Sequence, residues 1–317
     1  MDVVSKQKVC IVGIYGQDGS ILGNLFQKKN WNVFGLYKNQ STIHNVNSLI
    51  TKIKCDTTNF RELQNTFSKI KPDLIINVSG IPGNFETLKK IEIQNPDLLV
   101  EVTKTIPLNI LNWIHENPKT RFITALSSLM YSPEKMPEII NADTPINPQG
   151  LYGELKASVY EVLKSFRKSR DVQIFGAILF THTSHLEVKN FLIQNLTNNL
   201  KNLAKGTLQN YSVKYPDQPI DIGNAFDYCE CIYKFGVKTN LNSCNFIVAS
   251  GKPITLRLLI NHLESQIGKN FVDKITFVGE SVVYPYLMGN ITHTKQLVNW
   301  EPKIGILKTL MNIYNQS

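Results

Sequence analysis

Through its first 180 residues the chain alternates between two patterns of apolar positions. Short continuous apolar runs are the mark of strands buried on both faces, and apolar residues recurring every three or four positions mark amphipathic helices. Strands are predicted at 8–13, 31–37, 50–55, 73–78, 121–126 and 172–180, and helices at 20–29, 59–70 and 151–168. A long helical stretch, 86–117, contains Pro96 and Pro107. Proline lacks the amide hydrogen that a helix interior needs, so this stretch should start late or kink. Regular strand–helix alternation builds a parallel sheet covered by helices on both faces. After Thr181 the alternation weakens to a helix at 188–205, a strand at 245–249 and a helix at 256–267, with polar loops expected elsewhere. The expected architecture is α/β: a doubly wound parallel sheet over 1–180 and a smaller α/β domain over 181–317. Some later segments are expected to return to the first sheet.

Composition narrows the classes of function. Hydrophobic residues make up 42% of the 317 residues and charged residues 19%, as in globular proteins. The net charge of +9 comes from dispersed lysines. No arginine-rich block or basic stripe interleaved with aromatics argues for nucleic acid. The excess charge suits a doubly charged diphosphate better. Met1–Lys8 is polar and runs straight into a strand, so no signal peptide is expected. No apolar run reaches membrane-span length. Cys10, Cys55, Cys229, Cys231 and Cys244 are odd in number and mostly lie in apolar stretches, which predicts free core thiols and a cytoplasmic location. Cys229 and Cys231 form a CxC pair with no second ligand cluster, so no metal site is expected.

The first strand is followed by Gly13-Ile14-Tyr15-Gly16-Gln17-Asp18-Gly19 and then a helix. Gly13 permits a tight turn, Gly16 a close approach to a pyrophosphate, and Gly19 close packing of helix on strand. The helix N-terminus offers free N–H groups to phosphate. That combination predicts a dinucleotide site built from Gly13, Tyr15, Gly16, Gln17, Asp18 and Gly19. The second strand ends in Leu36-Tyr37-Lys38-Asn39 with no acid to hold a ribose 2′-hydroxyl. Lys38 instead suits a 2′-phosphate, so NADP is favoured over NAD. Asp56, after the third strand, is placed to accept from the adenine amine; a turn or helix cap is its alternative role.

Tyr152-Gly153-Glu154-Leu155-Lys156 places Tyr152 and Lys156 four residues apart on one helix face. A free phenol has a pKa near 10 and is a weak base at neutral pH; a neighbouring ammonium favours the phenolate. Ser127 and Ser128 end the strand just upstream. A hydroxyl there can orient the alcohol or carbonyl whose proton Tyr152 moves. The catalytic set read from the chain is Ser127, Tyr152 and Lys156, with Tyr152 and Lys156 also at the ribose and nicotinamide end of the cofactor.

The order Gly13-x-x-Gly16-x-x-Gly19, Ser127, Tyr152-x-x-x-Lys156 resembles the extended short-chain dehydrogenase/reductase family, and within it the GDP-mannose 4,6-dehydratases. The segments 13–20, 177–184, 221–228 and 299–303 carry the resemblance, which extends over nearly the whole chain. It implies a Rossmann domain, a nicotinamide dinucleotide, a nucleotide-sugar substrate and a homodimer. The dimer would pair the Tyr152 helix and the helix before it with the same helices of a second copy. Leucine-rich stripes on these helices (Leu151, Leu155, Val159, Leu163; Leu108, Leu111, Ile114) suit such a contact.

The departures shape the functional expectation. Leu129 stands where the resembled family carries a catalytic glutamate. Leu186 and Glu187 replace a basic pair, Ile220 and 280–283 fall where arginines are usual, and Val12 replaces a threonine. Leucine moves no proton. The expectation is therefore hydride transfer at C4 of a nucleotide-linked sugar without loss of water, as in a 4-keto reductase, dehydrogenase or epimerase. The alternatives are a 4,6-dehydratase with its acid elsewhere, Glu154 and Glu187 being candidates, and a non-catalytic dinucleotide-binding subunit. His182 and His185 are placed near the pocket mouth as surface residues.

Overall fold

The computed structural model describes residues 6–39, 46–81, 85–132, 138–279 and 286–316. The stretch 280–283, where arginines were sought, lies outside the described residues. The chain opens with β1 (Lys8–Val12), α1 (Gln17–Lys28), β2 (Asn32–Tyr37), β3 (Thr51–Lys54), α2 (Phe60–Ile70) and β4 (Leu74–Asn77). The proline-containing stretch is split into α3 (Phe85–Gln94), α4 (Pro96–Val100) and α5 (Ile106–Glu116), with one wide π-helical turn between α4 and α5. Pro96 and Pro107 each sit in the first turn of their helix, where a missing amide hydrogen costs nothing. Next come β5 (Arg121–Ser127), β6 (Ile139–Ile140), α6 (Gly150–Ser169) and β7 (Ile174–Leu179). The later part contains β8 (Thr181–Thr183), α7 (Leu192–Lys205), β9 (Tyr211–Lys214), β10 (Ile220–Asn224), α8 (Ala225–Val237), β11 (Asn245–Val248), β12 (Pro253–Ile254), α9 (Leu256–Ile267), β13 (Ile275–Val278), β14 (Met288–Gly289), α10 (Thr292–Val298) and α11 (Ile306–Gln316).

Seven strands form one parallel sheet in the order β3-β2-β1-β4-β5-β7-β11. Its central strands β1, β4, β5 and β7 are almost wholly buried, which is why they read as continuous apolar runs. The order reverses between β1 and β4. Ligands of such sheets bind outside the carboxyl ends of the strands at that reversal.

The expectation of polar loops after residue 205 is corrected by α8, α11 and the small sheets around β10. Helix α8 was hidden because its sequence, AFDYCECIYKFGV, is rich in aromatics and cysteine, which have weak intrinsic helix preference. Burial decides it instead: Tyr228, Cys229, Cys231, Ile232 and Phe235 enter the main core beside α1. Asn224 caps its N-terminus by accepting from Phe226 N. Strand β11 pairs with β7, so the later part contributes a strand to the large sheet. A second hydrophobic cluster joins α7, α9 and α11 through Leu196, Leu200, Leu259, Leu263, Leu310 and Ile313.

The leucine stripes are also corrected. Leu155, Val159, Leu163, Leu111 and Ile114 are buried within their own protomer, and Leu108 and Leu151 pack there too. The outward positions of α6 are mostly polar, with Glu154, Glu161 and Lys164 exposed beside one apolar residue, Val162. These stripes are core.

The glycine loop is the tightest joint of the fold. Gly13 has φ +91°, and a Cβ there would lie 2.9 Å from the Ser79 backbone beyond β4. A Cβ on Gly19 would run into the Gly13 carbonyl oxygen, so the first turn of α1 lies directly against the end of β1. Gly19→Ala should therefore cost about 1–3 kcal/mol through overpacking. Urea unfolding measures this, and an unchanged midpoint would show that the joint yields.

Candidate active site

The N-terminus of α1 is the first part of the site. Its cap, Gly16, is exposed, extended and has no side chain with which to close the end of the helix. The first-turn amides therefore lie open beside a cap that has no Cβ. That is a cradle of the right kind for a pyrophosphate, and the residues fit a dinucleotide. Tyr15 packs edge-on against Tyr37 with ring centroids 5.1 Å apart. Lys38 and Asp56 stand at the ends of neighbouring strands and are paired, Nζ to Oδ2, at 2.8 Å. Asp56 also accepts from Thr58 N at 3.1 Å and from Thr58 Oγ1 at 2.6 Å, so it holds the turn before α2. Lys38 and Asp56 thus bind each other, a relation that the separate roles assigned from sequence did not include.

The second part is at the carboxyl end of β5. Ser127 ends the strand half-buried, and its Oγ accepts from Leu129 N at 3.1 Å. Lys156 is buried, and its Nζ donates to the Ala125 carbonyl at 2.7 Å, two residues before Ser127. The same Nζ lies 5.6 Å from the centre of the Tyr152 ring. Gly153 packs directly on the Leu129 carbonyl, which holds the first turn of α6 against the Ser127 turn. Ser127, Tyr152 and Lys156 are thereby gathered at one strand end. Burial drives both ionisable members from their charged forms, raising the Tyr152 phenol to about 12 and lowering the Lys156 ammonium to about 8. A cavity of about 260 Å³ opens beside Tyr152, lined by Leu88, Lys89, Glu92, Ile93, Leu129 and Gln149.

The third part was not visible in the sequence. His182, expected as a surface residue, is largely buried and paired to Asp18 of the glycine loop. Its Nε2 donates to both Asp18 oxygens at 3.1 and 3.0 Å, and its Nδ1 donates to the Phe180 carbonyl at 2.8 Å. With an acceptor at each nitrogen the ring must carry two protons, so it is a cation. Burial opposes that charge, but the Asp18 carboxylate outweighs it and raises His182 to about 9. Burial likewise works against the Asp18 charge, yet His182 and Gln17 hold Asp18 below its ordinary range. Ser184 Oγ donates to Gln17 Oε1 at 2.8 Å, a second tie between the same segments. Glu187 accepts from Thr183 Oγ1 at 2.6 Å, and burial raises its carboxyl to about 8. It is thus largely neutral at pH 7 and brings little negative charge to the place where the resembled family has a basic pair. His185 is exposed and stacks on Phe226 at 5.7 Å. Glu154 is exposed on α6 and does not line the Tyr152 cavity.

The Asp18–His182 pair makes stability depend on pH. His182 titrates near 9 in the fold against 6.5 for a free imidazole, so its contribution is complete below pH 6.5 and fades as the pH rises through 9. His182→Ala should cost about 3 kcal/mol near pH 6, because it strands a buried carboxylate. The gap from the parent should narrow toward pH 9.5, and denaturant unfolding at several pH values reads it. A gap independent of pH would show that the imidazolium is not what stabilises the fold.

The chain is similar along nearly its whole length to known proteins. The family described as GDP-mannose 4,6 dehydratase matches residues 10–313. GDP-mannose 4,6 dehydratase 1 of Arabidopsis thaliana is 24% identical over 330 residues, covering 97% of this chain and 89% of the relative. The GDP-mannose 4,6-dehydratase of Yersinia enterocolitica serotype O:8 is 25% identical over 278 residues, covering 83% and 72%. Among solved structures, a UDP-glucose 4-epimerase of Thermotoga maritima with UDP-glucose superposes with TM-score 0.83 at 14% identity, covering 98% of each chain. A dTDP-glucose 4,6-dehydratase of Bacillus anthracis in complex with NAD superposes with TM-score 0.80 at 14% identity, covering 98% and 96%. Matched along nearly its whole length, and folded as those enzymes are, the chain belongs to the GDP-mannose 4,6-dehydratase family of sugar-nucleotide enzymes.

Proposed function

We propose that this protein is an NAD(P)-dependent oxidoreductase that acts at C4 of a nucleotide-linked sugar and carries the reaction on to 4,6-dehydration. The observation that carries the first step is the gathering of Ser127, Tyr152 and Lys156 at the end of β5, beside the phosphate cradle of α1. The full-length match to 4,6-dehydratases supports the second step. A bound nicotinamide dinucleotide supplies the hydride acceptor. Ser127 orients the C4 oxygen. Tyr152 takes the C4 hydroxyl proton and returns it when a ketone is reduced. Lys156, fixed by the Ala125 carbonyl, stands over the ring and holds the ribose hydroxyls. In the unliganded protein Tyr152 is the neutral phenol, and Lys156, although lowered to about 8, is still mostly an ammonium at pH 7.

NADP is favoured through Lys38. Its bond to Asp56 is a half-exposed pair of the kind worth at most about 1 kcal/mol. A 2′-phosphate dianion competes well for that ammonium. Residues 1–180 are assigned to the dinucleotide and 181–317 mainly to the sugar nucleotide. A cytoplasmic location fits the five free thiols. Among the described residues no helix is long and apolar enough to cross a membrane. A homodimer follows from the family resemblance, without the leucine stripes; light scattering that gives the mass of one chain at micromolar concentration would end it.

A second reading stops at C4 chemistry, as a reductase or epimerase does. Leu129 favours it, since the position next to Tyr152 that needs a carboxylate holds an alkyl chain. Incubation with NADP and GDP-mannose, followed by mass spectrometry, separates the two: a product lighter by one water supports dehydration, and its absence leaves the C4 reading. In either case Tyr152→Phe should still bind the dinucleotide, NADP(H) more tightly than NAD(H) by fluorescence titration, while turnover falls by about 10²–10⁴. Turnover at the parent rate would remove Tyr152 from its role.

A further inference from the structure

Dehydration at C5 and C6 requires a carboxylate within reach of the sugar carbons next to C4. The only neighbouring position at which sequence comparison seeks one is Leu129. The structure places a different carboxylate at the same cavity. Glu92, on α3, lines the space beside Tyr152 together with Leu129. Its Oε2 lies 3.4 Å from where a Cβ would stand on Gly150, two residues before Tyr152. The contact is fixed from both sides. Leu88, one turn earlier on α3, is buried in a cluster with Leu155 of α6 and Leu99 of α4, and Leu129 and Tyr152 pack on that cluster. Gly150 has φ +72°, so the chain enters α6 by a left-handed turn that keeps its first residues bare of a Cβ facing Glu92. Glu92 is half-buried and forms part of the wall of that cavity.

We propose that Glu92 is the acid–base group of the elimination, taking the place that Leu129 leaves vacant. The proposal rests on the 4,6-dehydratase reading. Once C4 is a ketone, the C5 hydrogen is acidic. Glu92 carboxylate removes the C5 proton, the electron pair of that C–H bond forms the C5–C6 double bond, and the C6–O bond breaks. The departing hydroxyl takes the proton from Glu92 and leaves as water, so the carboxylate is regenerated. No oxidant is consumed in this step; the C4 oxidation before it uses the nicotinamide dinucleotide. C5 and C6 are one and two bonds from C4, so a group beside Tyr152 is where this proton transfer must occur. Leu129 then serves as the apolar wall between the phenol and the carboxylate.

The test uses the intact protein with NADP and GDP-mannose, comparing the parent with Glu92→Gln. Water loss is read by mass spectrometry, and formation of reduced dinucleotide by its fluorescence. The parent should yield a product lighter by one water. Glu92→Gln should lose water about 10²–10⁴-fold more slowly, the factor typical of a general acid–base. It should still form reduced dinucleotide, which now accumulates because elimination no longer follows. Retained dinucleotide reduction separates loss of the acid–base from misfolding of α3. If Glu92→Gln loses water at the parent rate, Glu92 is not the group and the dehydratase reading stands without it. If the parent reduces dinucleotide but releases no dehydrated product, the dehydratase reading fails and the role of Glu92 fails with it.

Discussion

Everything in the site is referred to one close contact, the seating of α1 against the end of β1. The Gly13 carbonyl occupies the space that a side chain at position 19 would need. Because Gly13 and Gly19 have no Cβ, the first turn of α1 lies at the switch point of the sheet with its amides open. In the proposed function, that single backbone approach sets where the phosphate end of the cofactor would sit. Through β4 and β5, paired in register with β1, it fixes the distance from there to Ser127.

The Asp18–His182 pair extends the same frame. Asp18 is in the first turn of α1, and His182 is in β8, the strand that begins the later part of the chain. A charged hydrogen bond between them, backed by the Ser184–Gln17 bond, ties the segment expected to hold substrate to the loop expected to hold cofactor. A carboxylate beside a phosphate site is unfavourable alone. Neutralised by an imidazolium, it becomes a strut. In the proposed hydride transfer the two halves of the site must be held in register, and this strut crosses between them.

Much of the fold was legible because burial wrote it plainly. The strands of the central sheet are apolar on both faces, and their helices are amphipathic, so period and length identified them. Helix α8 was not legible: its residues have poor local preference for helix, and it forms because Tyr228, Cys229 and Phe235 are buried against α1. The site divides along the same line. Gly13, Gly16, Gly19, Tyr152 and Lys156 are spaced by the geometry of a turn or a helix, so the chain displays their relation directly. Asp18 and His182 are 164 residues apart, and Glu92 and Tyr152 line one cavity only because α3 packs on α6. No local spacing encodes such meetings. The leucine stripes show the converse error, where a correct periodicity was assigned to a partner chain although it faces the chain's own core.

In the proposed reaction this protein draws hydride from C4 of a nucleotide-linked sugar. GDP-mannose deuterated at C4 tests it directly, with the label followed by NMR after incubation with NADP. Deuterium leaving C4, for the nicotinamide or for C6 of the product, is the predicted result. Turnover of the sugar nucleotide with every C4 label retained and no isotope effect would contradict it, because the reaction would then occur without breaking the bond on which the whole site is aligned.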